Sequence, residues 1–345
     1  MRILVTGGAG FIGANLCHAL AARPEVERVT VLDDLSSGFP ANLDGTGADL
    51  AEGSVLDEDL LARLVPGVST VFHLAARPSV PRSLSDPAAS HEVNATGTLR
   101  VLEACRRTGA HVVLASSSSV YGDSPEPVKH EDLPTRPLSP YGASKLAAES
   151  YALAYAGSFG LPVLPLRFFN VYGPLQPAGH AYAAVVPAFV SAALRGLPAP
   201  IHGDGRQTRD FTYVGSVTAV LAEAAVRRVT SAKPVNLAFG TSVSLLRLRE
   251  TLSSVLGTAV ATSFLPPRAA DIRDSRASCR LLSELFPGVR PVPLEEGLRM
   301  TVAWFRNTAD HVPAAGAAPA GAPGALAAPA ASSQAALPHR IGSNP

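Results

Sequence analysis

Short runs of apolar and β-branched residues alternate with longer segments of helical period through the first half of the chain. Residues 3–6, 28–32, 71–74 and 111–116 are predicted as strands, and 11–22 and 95–107 as helices between them. The strand segments are apolar almost throughout rather than at every second position. That predicts burial on both faces, as in a parallel sheet. The strand–helix–strand rhythm predicts an α/β fold, a doubly wound parallel sheet with helices on both sides. Residues 162–168 are predicted as a further strand. From about Asn170, glycine, proline and turn residues become denser and the alternation loosens. A smaller C-terminal α/β lobe over residues 169–310 is expected there, following a main domain of residues 1–168, with a strand at 235–239 returning to the main sheet. Residues 311–345 read differently. Val312–Pro345 is rich in Ala, Pro, Gly and Ser, with few groups able to offset ordering entropy, so a disordered tail is expected.

Composition narrows the class. Of 345 residues, 47% are apolar, enough for a large buried core. With 29 basic against 28 acidic residues the net charge is +1, so no basic field marks a nucleic-acid partner. Cys17, Cys105 and Cys279 are far apart, odd in number and without CxxC spacing. Neither a disulfide framework nor a metal site is expected, and a reducing cytoplasm fits best. No signal peptide is read at the N-terminus, and no apolar run reaches the roughly 18 residues of a membrane span.

The chemistry starts at Thr6-Gly7-Gly8-Ala9-Gly10-Phe11-Ile12-Gly13, between the first predicted strand and helix. Gly7 allows a tight turn, Gly10 lets backbone approach a pyrophosphate, and Gly13 permits close packing of helix on strand. The diphosphate would then meet free helix amides. Glycine triplets also serve purely structural turns. Here, however, the second strand ends Val31-Leu32-Asp33-Asp34, placing Asp33 twenty positions beyond Gly13. A carboxylate there accepts from ribose hydroxyls and repels a 2′-phosphate, and no Arg directly follows, so NAD is expected rather than NADP.

Ser139-Pro140-Tyr141-Gly142-Ala143-Ser144-Lys145 reads as a helix start, Ser139 capping and Pro140 in the first turn. Tyr141 and Lys145, four apart, share a helix face. An ammonium beside a phenol favours the phenolate, so Lys145 is expected to lower the pKa of Tyr141 and make it a general base for a sugar hydroxyl. Ser116-Ser117-Ser118-Ser119 lies at the carboxyl end of a buried strand, where open α/β sheets place ligands.

With these segments the chain resembles the extended short-chain dehydrogenase/reductase superfamily, in its NAD-dependent epimerase/dehydratase group. The resemblance runs from about residue 2 to 306. Further motifs carry it: HLAA at residues 73–76, RFFNVYGP at 167–174 and GDGRQTRDFTYV at 203–214. It implies a Rossmann-like fold, with Ser117, Tyr141 and Lys145 as the catalytic set. Around NAD it implies Gly7, Gly10, Phe11, Ile12, Gly13, Asp33, Asp34, Ser36, Ser37, Gly38, Ser54 and Val55. Leu74, Ala75, Ala76, Asn94, Ser116 and Phe168 complete that set with Tyr141 and Lys145.

Family dehydratases for sugar C4–C6 chemistry typically carry Asp-Glu after the motif Ser or Thr, and decarboxylases tend to carry Glu at the second place. This chain has Ser118 and Ser119. The resemblance therefore implies inversion at C4 of a UDP-hexose through a 4-keto intermediate. The substrate pairs are UDP-glucose/galactose, their N-acetylated counterparts, or UDP-glucuronate. It implies that Asn170 meets the diphosphate or sugar, that Ala184 and Val185 line the uracil pocket, and that Arg209 and Arg268 hold the phosphates. Asp271 would accept from the uridine ribose, and Ser275 would leave room on the C2 side. Ser79, in the run from Ser79 to Ser83, also resembles relatives that accept UDP-N-acetylglucosamine, which would touch Ser117 and Ser118 as well. Two positions depart from the family pattern: Ser54 stands where an adenine-contacting Asp is usual, and Ala270 where a Gly is usual. The Ala/Leu-rich helices near 93–107 and 141–155 resemble those of a four-helix interface and imply a homodimer. His73 and His91 lack metal-ligand spacing and read as structural, and Trp304 and Phe305 as packing of a last helix. The rival readings are a nucleotide-sugar dehydratase or reductase, and a non-catalytic NAD-binding regulator.

Overall fold

Apolar side chains on both faces put five strands inside the molecule: β1 (Arg2–Thr6), β2 (Arg28–Asp33), β4 (Thr70–His73), β5 (His111–Ser117) and β6 (Val163–Phe168). In the computed structural model, which describes residues 1–178, 184–267 and 274–308, they form the middle of a seven-stranded sheet. The sheet is completed by β3 (Asp49–Glu52) at one edge and β7 (Val235–Leu237) at the other. The order is β7-β6-β5-β4-β1-β2-β3, and every pairing is parallel. The chain leaves β1 for one edge and later returns to build toward the other, so the winding reverses between β1 and β4. Such a switch point opens a crevice at the carboxyl ends of the strands. Thr6 and His73 sit opposite each other there.

Alternation along each strand feeds two cores. Ile3, Val5, Val31, Phe72 and Val113 face α1 (Phe11–Ala21) and the Val214–Val226 helix, packing on Leu16, Leu20, Val217 and Leu221. Leu4, Leu32, Val71, Val112 and Leu114 face the other way. They pack on α2 (Gly97–Thr108) and α3 (Pro140–Phe159) through Val101, Leu102, Cys105, Ala148 and Ala152. The edge strand β3 is exposed at three of its four positions and polar enough to stay soluble there.

Beyond β6 the strands are short. Asn170–Tyr172 pairs in parallel with Phe211–Tyr213, and Thr208–Arg209 lies between Val243–Ser244 and Asp274–Ala277. No helix among the described residues is long and apolar enough to cross a membrane. The tail expected at 311–345 lies outside the described residues.

Candidate active site

The chain leaves β1 at Gly7, whose φ of 72° suits glycine. A Cβ on Gly7 would lie 2.7 Å from Ala75 N, and one on Gly13 only 2.2 Å from Gly7 O. Gly13 thus lets the first turn of α1 close on the glycine turn itself, rather than on a strand. Gly10 is the N-cap of α1; no side chain caps the helix and its first turn holds no acid. The leading amides are left for an anion. Phe11 and Ile12 follow, half-buried.

Asp33, 7% exposed, accepts from Ala9 N through Oδ2 and from Leu35 N through Oδ1, both at 2.9 Å. Burial raises its pKa, and those backbone bonds oppose the rise. The carboxylate ties the glycine turn to β2, yet each oxygen keeps a lone pair for a ribose hydroxyl. Phe39 N and Asn42 Nδ2 also donate to Ala9 O, at 3.0 and 2.9 Å, and a Cβ on Gly38 would come within 2.8 Å of Ala9 C. Asp34, Ser36 and Ser37 are exposed on this loop. Ser54, Leu74, Ala75 and Ala76 are half-buried beyond β3 and β4, and Val55 is buried. Ser54 Oγ accepts from Leu56 N at 3.2 Å. A turn that a Cβ would block, uncapped amides and a strand-end carboxylate together fit the diphosphate and ribose of a dinucleotide.

Ser139 Oγ caps α3 by accepting from Gly142 N at 3.1 Å, which fixes the turn carrying Tyr141. The half-buried Tyr141 hydrogen-bonds Ser117. Ser117 Oγ already accepts from Ser119 N at 3.2 Å and Ser119 Oγ at 2.9 Å, so its own proton is left to donate to the tyrosine oxygen. Lys145, 5% exposed, donates from Nζ to Ala115 O at 2.9 Å, two residues before Ser117 on β5. Burial lowers the lysine pKa to about 8. The expected lowering of the phenol by Lys145 is not what the chain alone produces. Burial raises the Tyr141 pKa, and the opposing influence is the Ser117 hydrogen bond. Ser118, half-buried, begins the short turn Ser118–Tyr121 after the strand, and Phe168 pairs in register with Ser117.

Ser116 points elsewhere. Its Oγ donates to Glu149 Oε2 at 2.7 Å, and Glu149 is held by Arg167 at 3.0 Å (Nε to Oε2) and 2.6 Å (Nη2 to Oε1). Both charged side chains are 3% exposed. Arg167 Cζ lies 4.6 Å from the Tyr121 ring centre, and Tyr121 donates to Asn236 Oδ1 at 2.6 Å. Only the backbone of Ser116 is left to face a cofactor. This buried network was not anticipated from sequence.

Asn94 sits in a π turn, Glu92–Thr96, and is 1% exposed. It brackets Arg77, accepting from its N at 2.7 Å and donating to its O at 3.3 Å, and it donates to Ser144 Oγ at 2.9 Å. Its side chain is thereby committed to the protein.

Asn170, Ala184, Val185 and Arg209 line one cavity of about 280 Å³, along with His202, Gln207 and Phe211. His202 and Gln207 were not singled out from sequence. Ser275 pairs with Arg209 across neighbouring strands. Ser79 has φ 96°, unusual for a residue with a Cβ, and its Oγ accepts from Arg82 N at 3.4 Å. Arg268, Asp271 and Ala270 lie outside the described residues.

His73 and His111 are 2% and 0% exposed, and burial is the main cause that lowers them to about 3 and about 4. An unfolded histidine titrates near 6.5, so between roughly 6.5 and 4 the unfolded chain takes up protons that the folded chain does not. Stability therefore decreases as the pH is lowered through that window, by up to about 1.4 kcal/mol per pH unit for each residue. Asp33 and Asp210, both raised by burial, work in the opposite sense, in the lower range where carboxylates titrate. The thermal midpoint is expected to drop steadily from about pH 7.5 to about pH 5. In His111→Gln, which keeps a donor for Val229 O, the drop should be shallower. Identical midpoints at the two pH values would refute this.

A doubly wound sheet carrying a dinucleotide cradle and a Ser–Tyr–Lys cluster at its carboxyl edge is the architecture of an extended short-chain dehydrogenase/reductase. The profile of the NAD dependent epimerase/dehydratase family matches residues 3–238. A UDP-glucose 4-epimerase of Mycolicibacterium smegmatis is 38% identical over 316 residues, covering 89% of this chain and 99% of that relative. A solved UDP-N-acetylglucosamine 4-epimerase from Methanobrevibacter ruminantium M1 superposes with a TM-score of 0.84 at 36% identity, covering 89% of this chain and 98% of that one. TunA, a NAD-dependent NDP-hexosamine 5,6-dehydratase of tunicamycin biosynthesis, does so with 0.79 at 36% identity and the same coverage. This chain belongs to the NAD-dependent epimerase/dehydratase family.

Proposed function

We propose that the protein is a UDP-sugar 4-epimerase, with UDP-glucose/galactose or the N-acetylated pair as substrates. The observation that carries the reading is the Tyr141–Ser117 contact beside buried Lys145, with serines at 118 and 119. Neither of the two positions directly after Ser117 holds a carboxylate to deliver a proton to a departing hydroxyl, which favours oxidation and re-reduction at one carbon over water loss.

NAD would lie along the turn of Gly7, Gly10 and Gly13, with its ribose at Asp33. When bound it supplies the hydride acceptor and donor, and a positive charge near the phenol. The chain's residues do the rest. Tyr141 takes the proton from the sugar 4-oxygen and returns it, and Ser117 steadies the phenolate by donating to it. Lys145, anchored on the Ala115 carbonyl, carries a positive charge one helical turn from Tyr141. Asn170 and Arg209 hold the nucleotide side, where a guanidinium suits diphosphate oxygens, while Ala184 and Val185 flank the base. Ser275 leaves space at C2. Outside the described residues, Arg268 and Asp271 would complete the nucleotide contacts. We extend the reading to a homodimer through α2 and α3, on which Tyr151 and Phe159 are 43% and 55% exposed.

A dehydratase is the second reading, favoured by the 36% identity to TunA. Purified protein incubated with UDP-glucose, UDP-N-acetylglucosamine or UDP-glucuronate decides between them by product NMR. Inversion at C4 with all oxygens retained is the expected result; an unsaturated or deoxy-keto sugar would replace the epimerase with the dehydratase.

A further inference from the structure

His73 connects the two halves of the active site through hydrogen bonds with one consistent direction. Ala75 N donates to Thr6 Oγ1 at 3.3 Å, and Thr6 Oγ1 lies 2.7 Å from His73 Nδ1. On the other side of the ring, Nε2 lies 2.9 Å from Thr98 Oγ1, and Thr98 donates to Asn94 O at 2.6 Å. A carbonyl only accepts, so the Thr98 proton is committed to it and His73 Nε2–H must donate to Thr98. The neutral ring then accepts at Nδ1 from Thr6. Burial keeps the ring neutral throughout the working pH range. From Asn94 the path continues: Nδ2 to Ser144 Oγ at 2.9 Å, and Ser144 Oγ to Tyr141 O at 2.9 Å. Thr6, His73, Asn94, Thr98 and Ser144 are all at most 2% exposed, so water does not compete for these bonds.

The two ends of this path matter. Ala75 N is the atom that a Cβ on Gly7 would strike, so one end is the wall of the glycine turn. The other end is the turn of α3 that presents Tyr141. These are different elements, the carboxyl end of the sheet and a helix that covers it, packed in one core, and proton transfer needs them registered to a fraction of an ångström.

We propose that His73 is a positioning residue for proton transfer: through Thr98, Asn94 and Ser144 it holds the first turn of α3, and so Tyr141, at a fixed distance from the wall formed by Thr6 and Ala75. The proposal rests on Tyr141 being the base. The π turn at Glu92–Thr96 brings the Asn94 carbonyl under Thr98 while its side chain reaches Ser144.

Two substitutions separate the arms. An asparagine amide reaches about as far as Nδ1 and a glutamine amide about as far as Nε2. His73→Asn therefore keeps the Thr6 arm and loses Thr98, and His73→Gln does the reverse; both lose the ring. The sugar tested is whichever of UDP-glucose and UDP-N-acetylglucosamine the wild type turns over. His73→Asn is expected to lower kcat about 10- to 100-fold with KM within about twofold and bound NAD unchanged, whereas His73→Gln stays within about threefold of wild type. Thr98→Val, nearly isosteric, should match His73→Asn, and the double variant should be no worse than either. Amide hydrogen exchange of a peptide spanning residues 139–148 reads the same registration without turnover. It should accelerate in His73→Asn and not in His73→Gln. Equal kcat and equal exchange in the Asn and Gln variants would overturn the proposal. A wild type inactive on both sugars would sink the epimerase reading instead, and the exchange comparison would still decide the role of His73.

Discussion

Tyr141→Phe should lower kcat/KM for the UDP-sugar by about 10²- to 10⁴-fold, the contribution usual for a positioned proton-transfer group, while the protein stays folded and keeps its NAD. The substitution removes one oxygen. The ring remains, Ser139 still caps the helix, and Ser144 Oγ still bonds the backbone carbonyl of residue 141. Ser117 keeps both bonds from Ser119 and loses only the acceptor for its own proton. Tyr141 is one of many residues expected around NAD, and the substitution leaves Asp33 and the glycine turn in place, so most of the cofactor binding should remain. Turnover within about tenfold of wild type would remove Tyr141 from the role of base. A fall in NAD content parallel to the fall in rate would show instead that the tyrosine acts through the cradle.

The fold was largely legible because its strands carry their burial in their composition: a segment apolar at almost every position has no face to offer water. What stayed hidden was of a different kind. β3 reads Asp-Leu-Ala-Glu and lies at a sheet edge, where polar residues are tolerated, so no hydrophobic run marks it. At the site, residue types that suit one chemistry at one spacing were visible: Gly7 to Gly13, Asp33, and Tyr141 with Lys145. The electrostatics of that last pair were not. Spacing says that Tyr141 and Lys145 share a helix face; it does not say that burial would dominate both pKa values, or that the ammonium would be tied to the Ala115 carbonyl. His73 could be read as structural, but its partners Thr6 and Thr98 lie 67 and 25 positions away, and no local pattern joins them.

The same limit concealed the ion pair beneath the site. Lys145 and Glu149 stand four apart on α3, a spacing that on its own reads as an exposed pair across one helical turn. In the structure both are buried and each has a different partner, Glu149 turning to Arg167 eighteen positions away. This difference decides magnitude, because an exposed pair contributes little to stability.

Arg167 and Glu149 should therefore be among the most sensitive positions for stability. Glu149→Gln removes the charge with little change in shape and leaves a guanidinium 3% exposed with no carboxylate. Uncompensated buried charges of this kind cost about 3–5 kcal/mol, which for a chain of this size corresponds to a thermal midpoint lowered by roughly 4–7 °C. Arg167→Lys should fall nearly as far, since an ammonium can neither form the two-pronged contact with Glu149 nor stack on Tyr121. Glu149→Leu combined with Arg167→Met removes both charges and should recover most of the loss, because the penalty comes from the unpaired charge rather than from the absence of the pair. Activity should recover less than stability. The double variant leaves Ser116 Oγ without its Glu149 partner, and Ser116 directly precedes Ser117 on β5, so the strand end beneath Tyr141 loses a side-chain anchor. A Glu149→Gln midpoint within about 2 °C of wild type would show that water reaches the guanidinium and that the pair is not buried in solution.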